Sequence, residues 1–224
     1  LLYRSPDLFK WEYVGTLRRD MLTTRGIYEC PDLISLGGKD ILIASPQGYE
    51  TQDWRYENLH SSIYMVGELN TEKGGFHIDD EDEIDGGMDF YAPQTLSAPD
   101  GRTVMIAWMQ MWSRTTPTAQ HGWVGSMTLP RELTLKDGKL YQAPVREIER
   151  YRWNEVHVDR VPLSGEVTLA NVKGTCVELS FTLEPGTAER AGVKVFSDGT
   201  HDARIYYDRA SDKVVFDRSR MGID

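Results

Sequence analysis

The segment Tyr28-Glu29-Cys30-Pro31-Asp32 places two carboxylates three positions apart. Pro31 cannot donate to a strand ladder and disfavours helical geometry at the residue before it, so we predict a strand start with an extended Cys30. Regular alternation would turn Glu29 and Asp32 to opposite faces of a sheet. We expect the proline to break that alternation, so that both carboxylates reach one cleft. Two carboxylates in one cleft can perform acid–base hydrolysis.

Glu29 lies between an aromatic residue and a thiol. Such neighbours desolvate a carboxyl group and favour the protonated form, which a general acid needs near neutral pH. The simpler interpretation is that Glu29 caps a strand and that Cys30 is a small buried residue. These residues alone leave both interpretations open.

The composition limits the classes of partner. The 224 residues contain 25 Lys and Arg against 35 Asp and Glu, a formal net charge of −10. An acidic chain without a basic cluster argues against nucleic acid and anionic membranes as partners. No apolar run approaches the length of a membrane span, and the N-terminus has no signal-peptide pattern.

The metal-binding residue types lack the spacing of a metal site. Cys30 and Cys176 form no pair motif, and the five histidines are scattered. We predict no disulfide framework, which fits a reducing, cytoplasmic location. The acidic run Asp79–Asp85 lacks the glycine and terminal glutamate of a calcium loop, so we predict a solvated loop there. We expect no metal and no other cofactor.

The chain consists of short strand patterns separated by turn signals. Residues 33–36 and 41–45 predict a hairpin closed at Gly37-Gly38, and a similar unit follows at residues 90–109, about sixty residues later. Two such units are typical of β-propeller blades, each a small antiparallel sheet. The stretch at 18–26 is predicted to be a loop. No long 3.6-residue periodicity occurs, so the class is all-β.

The pattern changes in the second half of the chain. Residues 127–144 predict a last hairpin of the first domain, and 145–153 a short helix or linker. The alternation at Val177–Leu183 and a hairpin within 203–217 are typical of a β-sandwich. We therefore predict two domains, residues 1–148 with propeller blades and residues 149–224 with part of a sandwich.

Several motifs in one order carry a family resemblance: Glu29-Cys30-Pro31-Asp32, Ser45-Pro46-Gln47-Gly48, Asp89-Phe90-Tyr91-Ala92-Pro93-Gln94, Leu129-Pro130-Arg131-Glu132-Leu133 and Asp217-Arg218-Ser219. The series resembles glycoside hydrolase family 32, the β-fructofuranosidases, over nearly the whole chain. The resemblance implies a five-bladed β-propeller followed by a β-sandwich, of which this chain is similar to the later blades and the first part of the sandwich. The Ser-Pro-Gln-Gly segment is most similar to intracellular bacterial enzymes acting on sucrose or sucrose-6-phosphate.

The resemblance implies retaining hydrolysis of terminal β-fructofuranosides, with Glu29 as the acid/base. The family's nucleophile lies in an Asn-Asp-Pro-Asn motif and a further Asp in an Arg-Asp-Pro motif, and neither motif occurs in these 224 residues. We therefore expect the chain alone to be inactive and the full-length protein to be a hydrolase. The alternative is a non-catalytic carbohydrate-binding or assembly fragment. The substrate, which is sucrose, sucrose-6-phosphate or a fructan, and the choice between hydrolysis and fructosyl transfer remain open.

By the same resemblance, four residues are candidates for binding the sugar, which is the expected partner. Asp32 would hold a sugar hydroxyl or orient Glu29, unless it only caps a hairpin. Asp89 and Tyr91 would border the sugar pocket, and the Tyr91 phenol could hydrogen-bond Glu29, unless it is simply a buried blade aromatic. Trp108 could form an apolar platform for the fructose ring, although a strand tryptophan more often packs in a core.

Overall fold

The computed structural model of the protein describes residues 1–17 and 27–222. The loop predicted at residues 18–26 lies outside the described residues. The chain divides into two compact units, Leu1–Tyr151 and Arg152–Asp224. Within the described ranges, no helix is long and apolar enough to cross a membrane.

In the described part of the first unit the strands are β1 Leu2–Arg4, β2 Glu12–Gly15, β3 Tyr28–Leu36, β4 Lys39–Pro46, β5 Ile63–Asn70, β6 Gly75–Glu83, β7 Tyr91–Ser97, β8 Thr103–Trp108, β9 Arg131–Lys136 and β10 Lys139–Pro144. Short 3-10 helices lie at Pro117–His121 and Arg146–Tyr151. Strands β1 and β2 pair as a hairpin. Strands β3 to β6 form one four-stranded antiparallel sheet in sequential order, and β7 to β10 form another. The predicted repeat of blade-like sheets is confirmed.

Glycine-containing turns set the register of these sheets. Gly37 and Gly38, between β3 and β4, have φ of 59° and 79°. Asp137 and Gly138, between β9 and β10, have φ of 52° and 74°. Positive φ at both central residues is the geometry of a type I′ turn, whose twist matches that of the strands it joins. The predicted hairpin at Gly37-Gly38 is therefore confirmed.

The β3–β6 sheet is covered on both faces, since its second strand, β4, is buried from Ile41 to Pro46. One cluster joins it to the β7–β10 sheet and consists of Ile41, Ile43, Tyr64, Val66, Ile84, Phe90, Met105, Ala107 and Leu133. A second cluster on the other face consists of Leu42, Ala44, Tyr49, Tyr56, Ile63 and Met65. Because the first cluster contains residues of both sheets, the two blades share a core that fixes the ends of β3 and β7 against each other.

The close approach of β5 and β6 requires a glycine at position 67. A Cβ added to Gly67 would lie 1.8 Å from the carbonyl oxygen of His77. We expect Gly67→Ala to lower the free energy of unfolding by about 3 kcal/mol, because the two strands must separate to admit the methyl group. At Gly86 an added Cβ meets nothing within 4 Å. Urea denaturation should therefore leave Gly86→Ala near wild type, and equal losses for both variants would contradict the argument.

The acidic run was wrongly predicted to be a solvated loop. Most of it forms strand β6, and none of Asp80 to Asp85 is fully exposed. Four of its aspartates pair with cations distant in sequence: Asp79 with Lys39, Asp80 with Lys139, Asp82 with Arg55, and Asp85 with Arg131. These pairs offset the repulsion between neighbouring carboxylates, so the run can form a strand.

The second unit contains the antiparallel sheet β11 Arg190–Val195, β12 Ala203–Asp208 and β13 Lys213–Asp217. The predicted hairpin of residues 203–217 is thereby confirmed as β12 and β13. The strand predicted at Val177–Leu183 is wrong, because no described segment forms a ladder with it. A strand requires hydrogen-bonded neighbours, and an alternating pattern alone does not supply them.

Candidate functional site

A bulge in β3 brings Glu29 and Asp32 to one face of the sheet. Glu29 pairs with Ser45 and Asp32 pairs with Ile43, so two residues of β3 oppose only Ala44. Since Ser45 and Ile43 are two positions apart on β4, their partners project from the same face. The predicted break in alternation is confirmed.

The predicted extended geometry of Cys30 is wrong, and so is the simpler interpretation in which Cys30 is buried. Its φ is 47°, in the left-handed region, and its side chain is exposed. Left-handed geometry at a non-glycine residue costs about 1–3 kcal/mol and tends to persist where the surrounding structure holds it in place. Here the bulge requires that conformation, and it overrides the extended preference of a residue before proline.

Strand β7 repeats the same arrangement. Tyr91 pairs with Trp108 and Gln94 pairs with Ile106, with Ala92 at φ 51° before Pro93 in the bulge. Tyr91 and Gln94 therefore share a face, as Glu29 and Asp32 do. The Gln94 side-chain amide donates to the carbonyl oxygen of Cys30 at 3.1 Å. The bulges of neighbouring blades are thus joined directly.

Tyr91 holds the Glu29 carboxyl group. Its hydroxyl donates to Oε2 of Glu29 at 2.9 Å and lies 3.1 Å from the carbonyl oxygen of Ser45. The Tyr91 side chain is only 2% exposed, while Glu29 is half-buried. Burial, and then the hydrogen bond to Glu29, raise the pKa of Tyr91, so the phenol remains a donor across the working pH range. The hydrogen bond from Tyr91 to Glu29 that the sequence suggested is present. Tyr91 is also a buried aromatic residue of its blade.

Asp32 connects the two blades. The backbone N–H of Thr95 on β7 donates to Oδ2 of Asp32 at 2.7 Å. A charge-assisted bond of this length fixes the orientation of the carboxylate beside Glu29. Asp32 is half-buried, and its role toward a sugar stays a prediction.

The structure places the other two predicted residues at the same end of the second blade. Asp89 is half-buried and precedes β7 by two positions. Trp108 ends β8, directly opposite Tyr91, and is half-buried against Trp112 with 4.9 Å between ring centroids. Trp108 therefore lies beside Tyr91, and its ring packs against a second tryptophan.

The sequence does not mark Trp112 and His60 as residues of this site, although the structure places both there. The Trp112 ring is edge-on to Tyr91 with centroids 4.8 Å apart, and it lies 5.3 Å from the His60 ring. Trp112 is 54% exposed, which leaves apolar ring surface available beside the carboxyl pair. Both residues lie on loops without periodic pattern, so the only sequence signal was a tryptophan in a polar stretch.

The site thus contains a carboxyl group fixed by a buried phenol, a second carboxylate anchored beside it, and an open aromatic surface. Such an arrangement can donate a proton to a bound sugar and stack against its apolar face. In the part of the chain that the structure describes, no three His, Cys, Asp or Glu side chains are grouped to hold a metal ion.

Two family models match consecutive parts of the chain. Residues 1–144 match the glycosyl hydrolases family 32 N-terminal domain, and residues 147–224 match the family 32 C terminal domain. These domains are the propeller part and the β-sandwich that the motifs predicted.

Individual proteins agree with this assignment. A sucrose-6-phosphate hydrolase of Zymomonas mobilis is 37% identical over 99% of this chain and 44% of its own length. The structure of a family 32 β-fructofuranosidase of Bombyx mori has a TM-score of 0.65 at 41% identity, over 69% of this chain and 33% of the other. A sucrose-6-phosphate hydrolase structure from Lactobacillus gasseri has a TM-score of 0.73 at 25% identity, over 99% and 45%. The chain spans less than half the length of these relatives. It belongs to glycoside hydrolase family 32.

Proposed function

We propose that the chain carries the acid/base part of a retaining β-fructofuranosidase that acts on sucrose or sucrose-6-phosphate. The observation that carries the proposal is the hydrogen bond from buried Tyr91 to Glu29, which holds one carboxyl group at the edge of an open aromatic surface. The family and its relatives named for sucrose-6-phosphate hydrolysis support the substrate class.

In this mechanism Glu29 protonates the glycosidic oxygen while a second carboxylate attacks the anomeric carbon and forms a fructosyl-enzyme. Glu29, now ionised, takes a proton from the water that releases fructose. The two carboxyl groups of a retaining enzyme lie about 5–5.5 Å apart. We assign the nucleophile to a part of the protein outside these 224 residues, since they contain neither Asn-Asp-Pro nor Arg-Asp-Pro.

The remaining residues would bind the sugar or position the acid. Oδ2 of Asp32 accepts from Thr95, so its other oxygen would accept a fructose hydroxyl. Asp89 would border the same ring, with Trp108 and the more exposed Trp112 as its apolar platform. Tyr91 is too deeply buried to contact the sugar extensively, and we propose that it positions Glu29.

We further propose a cytoplasmic location for the enzyme. Both cysteines, Cys30 and Cys176, are free and exposed. Exposed free thiols persist in a reducing compartment, where a phosphorylated sugar would also be the available substrate form.

The test compares the 224-residue chain with the longer polypeptide that carries it, each incubated with sucrose and with sucrose-6-phosphate. We expect the longer polypeptide to release fructose first as the β-anomer, as retention requires, and the 224 residues alone to give no turnover. Turnover by the short chain that Glu29→Gln abolishes would contradict the proposal that the nucleophile lies elsewhere. Sugar binding by the longer polypeptide without hydrolysis would favour a carbohydrate-binding function instead.

A further inference from the structure

The loop between β8 and β9 begins beside the proposed site. It is closed at its base by the backbone N–H of Met109, which donates to the Ser126 carbonyl at 2.7 Å, and by a bridge between Trp108 and Met127. The loop therefore leaves the sheet directly opposite Tyr91. Trp112, near its start, contacts the Tyr91 ring.

Arg114, two residues after Trp112, has unusual surroundings in this loop. Its backbone N–H donates to the Met111 carbonyl, which closes a turn around Trp112. Two peptide units separate the Cα atoms of Arg114 and Trp112, so these atoms lie within about 7 Å of each other. Its side chain is partly buried and its Nε is shielded from solvent. The Arg114 guanidinium makes no hydrogen bond or ion pair with any residue that the structure describes.

Other arginines of the same unit have carboxylate partners. Arg55 binds Asp82, and Arg102 binds two glutamates. A guanidinium is costly to desolvate without an anion, and this chain has an excess of carboxylates that could have paired with Arg114. A partly buried arginine without a partner, two residues after the Trp112 that contacts Tyr91, therefore points to an anion supplied by the ligand.

Two further polar atoms of the loop are also shielded and without a hydrogen-bond partner, Oε1 of Gln110 and Oγ1 of Thr118. The Thr118 hydroxyl can donate to an anion, and the Gln110 oxygen can accept from a sugar hydroxyl. The loop thus combines a cation, a hydroxyl donor and an amide acceptor with the aromatic surface of Trp112.

We propose that Arg114 binds the phosphate of sucrose-6-phosphate, on the glucose unit that leaves when Glu29 protonates the glycosidic oxygen. A guanidinium presents paired N–H donors that match two phosphate oxygens, which an uncharged sucrose cannot use. Arg114 would then set the preference for the phosphorylated substrate. The inference rests on the proposed function, because it needs the leaving group to lie beside Trp112.

The test measures kcat/KM of the longer polypeptide for both substrates in wild type and in Arg114→Met. We expect kcat/KM for sucrose-6-phosphate to fall about 10- to 100-fold, the loss typical of a charge-assisted pair, while the value for sucrose stays within about twofold. Arg114→Lys keeps the charge but loses the paired N–H donors. Its kcat/KM for sucrose-6-phosphate should therefore lie between the values of wild type and Arg114→Met. Arg160→Met removes an exposed arginine of the second unit and should change neither value.

Equal losses for the two substrates in Arg114→Met would show a structural role for Arg114 and overturn the proposal, as would no loss at all. Calorimetric binding of glucose 6-phosphate provides a readout without turnover. If wild type hydrolyses neither substrate, the proposed function fails. Loss of glucose 6-phosphate binding in Arg114→Met would then still support the anion site, and unchanged or absent binding would reject it.

Discussion

Glu29→Gln in the longer polypeptide is expected to lower kcat for sucrose by about 100- to 10,000-fold, the usual contribution of a general acid–base. Glutamine keeps the shape of the side chain, and its carbonyl oxygen can still accept from Tyr91, but its amide is not acidic enough to protonate the glycosidic oxygen. KM should change little, because the proposed sugar contacts of Asp32 and of the aromatic surface remain. Steady-state kinetics on sucrose measures both constants.

Glu12→Gln is the matched control for this substitution. Glu12 lies on β2 in an exposed ion pair with Arg4, and no role in the reaction is proposed for it. Exposed ion pairs contribute little to stability, so this variant should keep wild-type kcat and thermal stability. A Glu29→Gln enzyme that retains more than about a tenth of wild-type kcat would contradict the assignment of Glu29 as the acid/base.

The second large effect is expected for Tyr91→Phe. The substitution removes the hydroxyl that holds Oε2 of Glu29 and leaves the ring packed against Trp112. Losing a hydrogen bond to a charged group typically changes an equilibrium about 10- to 100-fold, so kcat/KM for sucrose should fall within that range. The loss should appear in kcat, because Tyr91 positions the acid and the sugar contacts are unchanged.

A comparison of leaving groups separates this positioning role from general damage to the fold. The aryloxide of an aryl β-fructofuranoside is a stable anion and leaves without protonation. The rate of the first step with this substrate should therefore be much less affected in Tyr91→Phe than the rate with sucrose. Tyr64→Phe, in the buried core of β5, is the control for removing a buried phenol and should affect neither substrate. Equal losses for sucrose and the aryl fructoside in Tyr91→Phe would show that Tyr91 supports the fold only.

The parts predicted correctly from the sequence depend on local chemistry. The Gly37-Gly38 turn sets a hairpin through its own backbone preference, and Pro31 cannot complete a ladder wherever its strand lies. This local property of proline is enough to predict that Glu29 and Asp32 share one face of the sheet, without any tertiary contact. The ordered motifs then identified the family, which short-range patterns alone did not.

The parts predicted wrongly depend on partners distant in sequence. Strand β6 resembled a solvated loop because its cations are distant in sequence, and two of them, Lys139 and Arg131, are contributed by the next blade. The alternation at Val177–Leu183 suggested a strand, although ladder pairing is decided by a neighbour. Trp112 carried almost no local signal, since its position beside Tyr91 exists only after the loop has folded back. The missing partner of Arg114 is likewise visible only in the folded loop.

Azide rescue of Glu29→Gln tests the central claim most directly. With an aryl β-fructofuranoside, the variant should release one burst of phenol and then stall, because the fructosyl-enzyme lacks a base to activate water. Azide needs no base, so it should restore turnover and yield a β-configured fructosyl azide. Failure of azide to accelerate turnover, or a product of inverted configuration, would contradict the account of Glu29 as the acid/base of a retaining β-fructofuranosidase.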